Sequence, residues 1–249
     1  MLLTDLVSSF YDVIELFDTP EKIANSLGAI CQHAGFSYFA VTHHGIFNRE
    51  ANSLIRIHNY PSDLVGYHDT QELGARDPVH RASQLRGAGF VWSALPDLVE
   101  LTREDRRVLE MARRAGIGDG YTVPYHLPGE RSGSSSFAVA PGMSFPRHTI
   151  PLAQALGSFA FEAARRLQDR QARSRVSAGW LTERERQIVI WLGRGKEEKE
   201  IARLLGIAPS TINAHLANAR RRFGVHKSGM LVICGLLCGS ISYNEIIVA

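Results

Sequence analysis

This chain of 249 residues has little cysteine and no long apolar run. Its three cysteines, Cys31, Cys234 and Cys238, are too few and too irregularly spaced for a disulfide framework or a CxxC metal site. No apolar stretch approaches the roughly 18 residues that span a bilayer. Acids at Asp5 and Asp12 interrupt the N-terminal segment where a secretory signal would be apolar. These absences predict a cytoplasmic protein without a metal site.

The sequence also lacks the signatures of enzymes and phosphoryl receivers. Ten histidines are present, but no HxH or HExxH spacing, GxSxG elbow, Walker loop or Rossmann fingerprint occurs. A receiver domain needs a late lysine beside its paired acids, whereas Lys22 is the only lysine in residues 1–150. We therefore expect no catalytic site, no cofactor and no phosphorylation-controlled domain.

Three short helical patterns, separated by glycine and proline, lie between Leu181 and Val225. They predict helices at residues 183–192 and 197–205, and a third helix that begins at an N-cap, Ser210, and ends at Phe223. A short turn at Gly206 joins the second and third helices, as in helix-turn-helix units.

The third predicted helix has one apolar face and one face suited to nucleic acid. At about 100° per residue, the apolar stripe contains Ile212, Leu216, Ala219 and Phe223. The opposite face offers small side chains, an amide and guanidinium groups without a carboxylate, so that phosphate does not repel it from a major groove. The candidate DNA-binding residues are Lys196, Ser210, Thr211, Asn213, Ala214, His215, Ala217, Arg220 and Arg221, with Arg222 as a further phosphate contact. Asn213 is the best candidate for reading adenine.

Charge supports a nucleic-acid partner for this region. Between Arg170 and Lys227 there are 13 Lys/Arg and 5 Asp/Glu, a local balance of +8 in a chain whose net charge is only +3. The remaining residues therefore sum to −5. A basic C-terminal quarter joined to an acidic remainder is typical of a DNA-binding module on a second domain.

The runs LTERERQIV, EIARLLGI and STINAHLANARRRFGV, with a Gly195–Lys196 turn, resemble the DNA-binding domain of LuxR-type transcription regulators. The resemblance implies a four-helix module held together at Glu185, Val189 and Gly195. Its fourth helix would cover residues 227–238 and often contributes to dimerisation on DNA.

The first 168 residues mix helical and strand periodicities. Helices are predicted at 2–17, 20–34, 103–115 and 149–167, and strands at 36–42, 53–59, 90–92, 120–126 and 135–140. We predict an α+β chain, in which an N-terminal α/β/α sandwich with a ligand cavity precedes a C-terminal all-α four-helix helix-turn-helix domain. Residues 1–168 would form the sensor and dimerisation domain, 169–179 a polar linker, and 180–249 the DNA-binding domain.

Four polar side chains of the first domain are placed to bind a small ligand. Asp77 can accept from an amide N–H, and the hydroxyls of Tyr60 and Ser136 can serve carbonyls, with Trp92 between them in sequence. From the residues alone this set is weak, because an Asp-Pro pair more often starts a helix or a turn.

The order YP, DPV, W, G and SFA is similar to that of the acyl-homoserine-lactone-binding domain of quorum-sensing receptors. By this resemblance Tyr60 and Ser136 would bond the acyl-amide carbonyl and Asp77 the amide N–H. Trp92 would pack on the lactone ring, and Gly120 matches the glycine beside the pocket. The implied ligand is an N-acyl-homoserine lactone or a related amide.

Two positions depart from this family pattern. The tryptophan that donates to the lactone carbonyl is replaced by Leu64, and the aromatic four residues further on is His68. Losing one neutral hydrogen bond costs roughly twofold to tenfold in affinity. We expect an altered ligand, such as an aryl- or branched-acyl lactone, with His68 either a replacement donor or a plain exposed helix residue.

The expected partners are double-stranded DNA with a dyad-symmetric operator, a small autoinducer, a second copy of the chain and, where transcription is activated, RNA polymerase; no membrane partner is expected. Two alternatives remain open: a regulator of a non-lactone ligand, and a ligand-independent regulator whose first domain only dimerises.

Overall fold

Antiparallel strands form the centre of the first part of the chain. In the computed structural model, which describes residues 3–14, 16–45, 54–127, 130–172 and 180–247, five strands form one sheet. They are β1 (Tyr38–His43), β2 (Arg56–His58), β3 (Phe90–Val91), β4 (Gly120–Tyr125) and β5 (Gly133–Ala138). The strand order is β2-β1-β5-β4-β3, and every neighbouring pair is antiparallel.

The described residues form two units. Met1–His126 and Arg131–Ser174 make up the N-terminal unit, and Arg175–Ala249 with Leu127–Glu130 make up the C-terminal unit. The helices of the N-terminal unit are α1 (Leu3–Ile14), α2 (Pro20–Ala34), α3 (Ser62–Thr70), α4 (Pro78–Gln84), α5 (Leu95–Leu98), α6 (Arg103–Arg114) and α7 (Ile150–Ala172). Single 3-10 turns lie at Gly74–Arg76, Trp92–Ala94 and Arg147–Thr149.

The two faces of the sheet differ in polarity, because side chains alternate along each strand. One face is apolar and packs under α1, α2 and α7 in the main core, which includes Phe39, Val41, Ile57, Val123, Phe137, Leu152 and Leu156. The other face carries Thr42, Arg56, His58, Thr122, Ser134 and Ser136 and lies below α3, α4 and α6. The predicted α/β/α sandwich is therefore confirmed.

Register places four residues of the polar face side by side. His58 and Ser136 each pair with Ala40, on opposite sides of β1, and Ser136 pairs in turn with Thr122. This row crosses the middle of the sheet from β2 to β4. It brings together side chains that are up to 96 positions apart in sequence (40 to 136).

The structure adds three helices that hydrophobic periodicity did not reveal, which are α3, α4 and the four-residue α5. In α3 only Leu64 is buried, so no apolar stripe marks it in the sequence. The helix α4 begins directly after Asp77, which is its N-cap. The interpretation of Asp77–Pro78 as a helix start is thus confirmed, and the side chain also reaches the cavity described below.

Several predicted boundaries differ from the observed ones. The long helix α7 continues to Ala172, so that the first four residues of the predicted linker are helical; residues 173–179 lie outside the described residues. The predicted strand at 53–59 is shorter, since only Arg56–His58 is strand and residue 53 is not described. Within the described segments, none of the helices combines the length and the apolar character needed to cross a bilayer.

Helices alone build the C-terminal unit. They are α8 (Glu183–Gly193), α9 (Glu198–Leu205), α10 (Pro209–Phe223), α11 (Ser228–Leu237) and a short α12 (Tyr243–Ile246). The core consists mainly of apolar side chains from the first four, among them Ile188, Val189, Ile201, Ile212, Leu216 and Leu231, and Ile241 completes it. This is the predicted four-helix arrangement with one additional turn of helix at its end.

Helix α10 begins earlier than predicted. Ser210 was expected to be its N-cap, but Pro209 is the first helical residue and Ala208 holds the cap position without a side-chain bond. Proline suits the first position, because its φ is preset and the missing N–H has no helical partner there. The Ser210 side chain is therefore exposed on the first turn.

Candidate functional site

A cavity of about 120 Å³ lies between the polar face of the sheet and helices α3, α4 and α6. Six of the seven residues proposed from sequence for the ligand line it: Tyr60, Leu64, His68, Asp77, Trp92 and Ser136. They come from β5, α3 and the segments between elements, so the fold brings together residues that are distant in sequence.

A chain of hydrogen bonds links Trp92 to Ser136. The indole Nε1 of Trp92 donates to Thr122 Oγ1 at 2.8 Å, and the Thr122 and Ser136 hydroxyls are 2.8 Å apart. Thr122 is fully buried. Because Thr122 Oγ1 accepts from Trp92, its own O–H can donate a hydrogen bond to Ser136 Oγ. The Ser136 O–H can then donate to an acceptor in the cavity. Thr122 is a site residue that the sequence did not indicate, because polar and apolar side chains do not alternate clearly along β4 and β5.

Gly120, the seventh proposed residue, does not line the cavity. It lies behind Trp92, because a Cβ at this position would meet Trp92 Cε2 at 2.7 Å and the carbonyl oxygen of Phe137 at 2.9 Å. The residue therefore allows the indole to lie flat against β4.

Asp77 has two roles that use different oxygens. Oδ1 accepts from the backbone N–H groups of Val79 at 2.8 Å and His80 at 3.3 Å, which caps α4. Oδ2 lies 3.3 Å from His68 Nε2. The residue is only 5% exposed, so its charge is held in place by these donors. One oxygen thus fixes the scaffold and the other borders the cavity.

His68 is a cavity residue and not a plain exposed helix residue, so that interpretation was wrong. Its side chain is 27% exposed and lines the cavity beside Asp77. Burial lowers the pKa of His68, although Asp77 opposes the shift. The ring is therefore neutral at pH 7, and its proton belongs on Nε2, which faces the carboxylate.

Tyr60 and Leu64 form an adjoining wall. Leu64 is 3% exposed and packs with Ile117 and Ala138 in a small cluster that Tyr60 and Trp92 cover. Burial, with the charge of Asp77, raises the pKa of Tyr60, so its hydroxyl stays protonated. No partner for this hydroxyl occurs among the residues that the structure describes. It is available as a donor.

Several polar cavity residues were not foreseen from the sequence. Arg56 Nη1 and Asp69 Oδ2 are paired at 2.9 Å, and His58, Glu72 and His80 also border the cavity. His80 Nδ1 donates to the carbonyl oxygen of Gly74 at 2.6 Å. Alternation along β2 could have indicated that Arg56 and His58 share a face, but the strand is too short to reveal its period.

In the C-terminal unit, α10 presents the face expected to meet DNA. Ser210, Thr211, Asn213, Ala214 and Arg221 are exposed, and His215, Ala217 and Arg220 are half-buried. Ile212, Leu216 and Ala219 are buried on the opposite side, and Phe223 is half-buried. Asn218, which sequence analysis did not select, is a further exposed amide on this helix.

The basic side chains near α10 have different partners. Arg222, expected to hold phosphate, instead donates through Nη1 and Nη2 to the buried Glu185 at 2.6 and 3.0 Å. Burial opposes ionisation of Glu185, but the bonds from Arg222 and Thr182 outweigh it and lower the pKa of this carboxyl. Arg222 is therefore a structural residue, and its expected role was wrong.

The other basic side chains near α10 make fewer hydrogen bonds than Arg222 does. Arg220 Nη1 donates to Ser228 Oγ at 2.7 Å, and Lys196 Nζ lies 3.4 Å from Glu200 Oε1 on the surface. Arg221 has no partner among the described residues and is exposed. Of the three consecutive arginines of α10, it is the one without such a bond in the described segments.

Family comparisons match both halves of the chain. The autoinducer binding domain family matches residues 19–164, which is more than half of the chain. The luxR family of bacterial regulatory proteins matches residues 180–234. The two matches follow one another in the order in which the cavity and the exposed helix occur.

Individual relatives resemble the chain along most of its length. The transcriptional activator protein AhyR of Aeromonas hydrophila is 23% identical over 227 residues, covering 90% of this chain and 87% of that protein. The quorum sensing-dependent transcriptional regulator RpaR of Rhodopseudomonas palustris is 27% identical over 237 residues, covering 93% of each.

A solved structure has the same fold. The crystal structure of Escherichia coli SdiA superimposes with a TM-score of 0.68 at 22% identity, over 98% of this chain and 99% of that chain. An autoinducer-binding domain implies a small-molecule ligand, and a LuxR-type helical domain implies DNA. The chain accordingly belongs to the LuxR family, whose members are ligand-responsive transcription regulators of quorum sensing and not enzymes.

Proposed function

We propose that the cavity binds an N-acyl-homoserine lactone or a related amide, and that the bound ligand controls operator binding by a homodimer. The observation that carries this proposal is the meeting of Tyr60, Asp77, Trp92 and Ser136 around one cavity. The set combines two hydroxyl donors, one carboxylate acceptor and one flat ring. Those are the groups needed to hold an amide next to a small ring.

Each residue has a distinct role. Tyr60 and Ser136 donate to the acyl-amide carbonyl, and Oδ2 of Asp77 accepts the amide N–H. A carboxylate oxygen can accept two hydrogen bonds, so the amide can share Oδ2 with His68. Trp92 contacts the head group through its ring face, because its N–H is bonded to Thr122.

Leu64 and His68 further restrict which head group the ligand can carry. Leu64 cannot donate to a lactone carbonyl, and the His68 proton faces Asp77. The head group therefore has one donor fewer than the family pattern provides. We infer a lactone with an aryl or branched tail that compensates through tail contacts, or an amide with a different head group.

For DNA we propose that α10 enters the major groove, with Asn213, Ala214 and Ala217 towards the bases. Ser210, Thr211, His215, Arg220, Arg221 and Lys196 would lie at or near phosphates. Two copies would bind a dyad-symmetric operator with half-sites about one helical turn apart. Exposed apolar side chains on α11, Met230, Ile233 and Leu237, are suited to a dimer contact. RNA polymerase would be a partner where the bound dimer activates transcription.

The proposed domain limits are 1–168 for sensing and dimerisation, 169–179 for the linker and 180–249 for DNA binding. The boundary between the first domain and the linker differs most from the helix ends, because α7 continues to Ala172, within the proposed linker.

The deciding experiment is a thermal shift of the full chain against straight, branched and aromatic N-acyl-homoserine lactones. A monoacylglycerol belongs in the panel as a ligand without an amide, since SdiA has been solved with octanoyl-rac-glycerol. Free ligand at about 100 times its Kd should add roughly 2.7 kcal/mol, a shift of several degrees. A response to the acylglycerol alone, or a flat panel with DNA binding intact, would contradict the lactone proposal.

We expect Asn213→Ala to relax the preference for one base position. An amide that bonds adenine in two places contributes about 1–3 kcal/mol of discrimination. Binding-site selection on the wild-type and variant proteins measures this directly, with Asn218→Ala as a matched exposed-amide control. An unchanged preference in Asn213→Ala would contradict the assignment.

A further inference from the structure

The cavity wall formed by β1 and β2 contains a donor that the roles above do not use. His58 lies on β2, is half-buried and lines the cavity. Its Nδ1 lies 3.2 Å from the backbone nitrogen of Tyr60. A backbone N–H can only donate, so Nδ1 accepts this bond.

The remaining proton of the ring is thereby assigned. Burial, followed by the charge of Arg56, lowers the pKa of His58 although Asp69 opposes the shift, so the ring is neutral at pH 7. With Nδ1 as acceptor, the proton lies on Nε2. No partner for Nε2 occurs in the part of the chain that the structure describes. The bond to Tyr60 also fixes the ring against a flip.

The strand register places this donor near Tyr60 and Ser136, the two residues proposed to bind the amide carbonyl. His58 and Ser136 flank Ala40 in one row of the sheet, and strands lie about 4.8 Å apart, so the two donors are roughly 10 Å apart across a small side chain. The His58 and Tyr60 ring centres are 6.0 Å apart. An acyl chain whose carbonyl lies at Tyr60 and Ser136 therefore passes its first atoms over Ala40 towards His58.

We propose that the ligand's acyl tail carries an oxygen acceptor within its first few carbons, and that His58 Nε2–H binds it. This specificity rests on the proposed amide-binding function. An unsubstituted alkyl tail would cover the His58 Nε2–H donor. The donor would then lose its hydrogen bond to water and gain no other acceptor, which disfavours binding. A site built around a buried donor disfavours the analogue that lacks the acceptor. The Arg56–Asp69 pair beyond His58 continues the polar wall.

The test compares ligands that differ only in this oxygen. N-octanoyl-homoserine lactone, its 3-oxo form and its 3-hydroxy form are titrated against wild type, His58→Leu, His58→Gln and Ser136→Ala. Wild type should prefer an oxygenated form by about tenfold. His58→Leu should remove the preference, and His58→Gln, which keeps an N–H donor, should restore most of it. Ser136→Ala should weaken all three ligands alike.

Three results would overturn the inference. Equal binding of all three lactones to wild type would do so while leaving the proposed function standing. A preference that survives in His58→Leu would assign the discrimination to another residue. Failure of these three lactones and of the branched and aromatic lactones of the thermal-shift panel to bind, with specific DNA binding intact, would overturn the lactone-binding function together with this inference. If His58→Leu does not fold, the wild-type comparison and His58→Gln still decide.

Discussion

At the scale of single residues, Gly120 shapes a site that it does not line. A side chain at this position would overlap the Trp92 ring and the backbone of β5. The position of the indole therefore requires a residue without a Cβ at 120. The hydrogen bonds from the indole to Thr122 and from Thr122 to Ser136 depend on that position in turn.

We expect Gly120→Ala to destabilise the N-terminal unit by about 1–3 kcal/mol, because overpacking displaces Trp92 and strains the strand. Ligand affinity should fall with it. Gly66→Ala is the matched control, since a Cβ there meets nothing within 4 Å and Gly66 is an exposed position of a helix. Chemical denaturation and ligand titration of both variants measure the difference. Gly120→Ala with wild-type values in both would show that the indole position tolerates the methyl group.

How far the site could be predicted also depends on the residue. Family resemblance, not periodicity, selected Tyr60, Asp77 and Ser136, and the structure gathers them around one cavity. His58 and Thr122 could not be found in this way. The role of His58 depends on a backbone N–H two residues away, and that of Thr122 on strand register, and neither leaves a pattern in the sequence.

At the scale of elements, α10 holds neighbouring arginines with opposite duties. Arg222 bonds the buried Glu185 and the carbonyl oxygen of Trp180, and so ties the end of α10 to the start of α8. Arg221, one position earlier, is exposed without a partner among the described residues. A rotation of about 100° per residue is enough to separate the structural role of Arg222 from the DNA-binding role proposed for Arg221.

Alanine at each position should separate these duties. Arg222→Ala leaves a buried carboxylate unpaired and should cost about 2 kcal/mol of stability, less than a fully buried pair because the Arg222 side chain is 34% exposed. Arg221→Ala should leave stability unchanged, weaken all DNA sites alike and reduce the salt slope by about one. Urea denaturation and binding at several salt concentrations measure both effects. The reverse pattern would exchange the two assignments.

The elements themselves were predictable to the extent that burial imposes a period. The apolar stripe of α10 follows from its sequence, whereas α3 buries one residue and gave no such signal. The sequence predicts the start of α10 two residues late, because serine is a common cap, whereas the observed cap is Ala208 and Pro209 is the first helical residue.

At the scale of the whole molecule, acid should affect the two units differently. Burial lowers the pKa values of four histidines, which are His43, His44, His58 and His68. The pKa of His43 falls to about 4, and the charge of Arg131 adds to this shift. The neighbouring His80 and His126 add to the lowering of the pKa of His44. All four belong to the N-terminal unit. Their folded-state pKa values lie below the unfolded value of about 6.5, so the unfolded chain binds more protons. The stability they contribute is complete above pH 6.5 and is lost as the pH falls towards 4.

We therefore expect the N-terminal unit to lose stability between pH 6.5 and 5 while the C-terminal unit changes little. Hydrogen exchange followed by mass spectrometry at pH 7, 6 and 5, corrected for intrinsic rates, reports each unit separately. His58→Gln removes one of the four groups and should reduce the dependence of the N-terminal unit's stability on pH. A parallel decline of both units would contradict this account.

The divided use of Asp77 limits how the ligand proposed for this cavity can change over evolutionary time. Any replacement that removes its oxygens also removes the cap of α4, so selection for a new ligand at this position would carry a folding penalty. Leu64 and His68 carry no such duty, as neither side chain bonds backbone among the described residues. Drift in ligand preference should accumulate at such positions first, and these are the two at which the sequence resemblance predicts a departure from the family pattern.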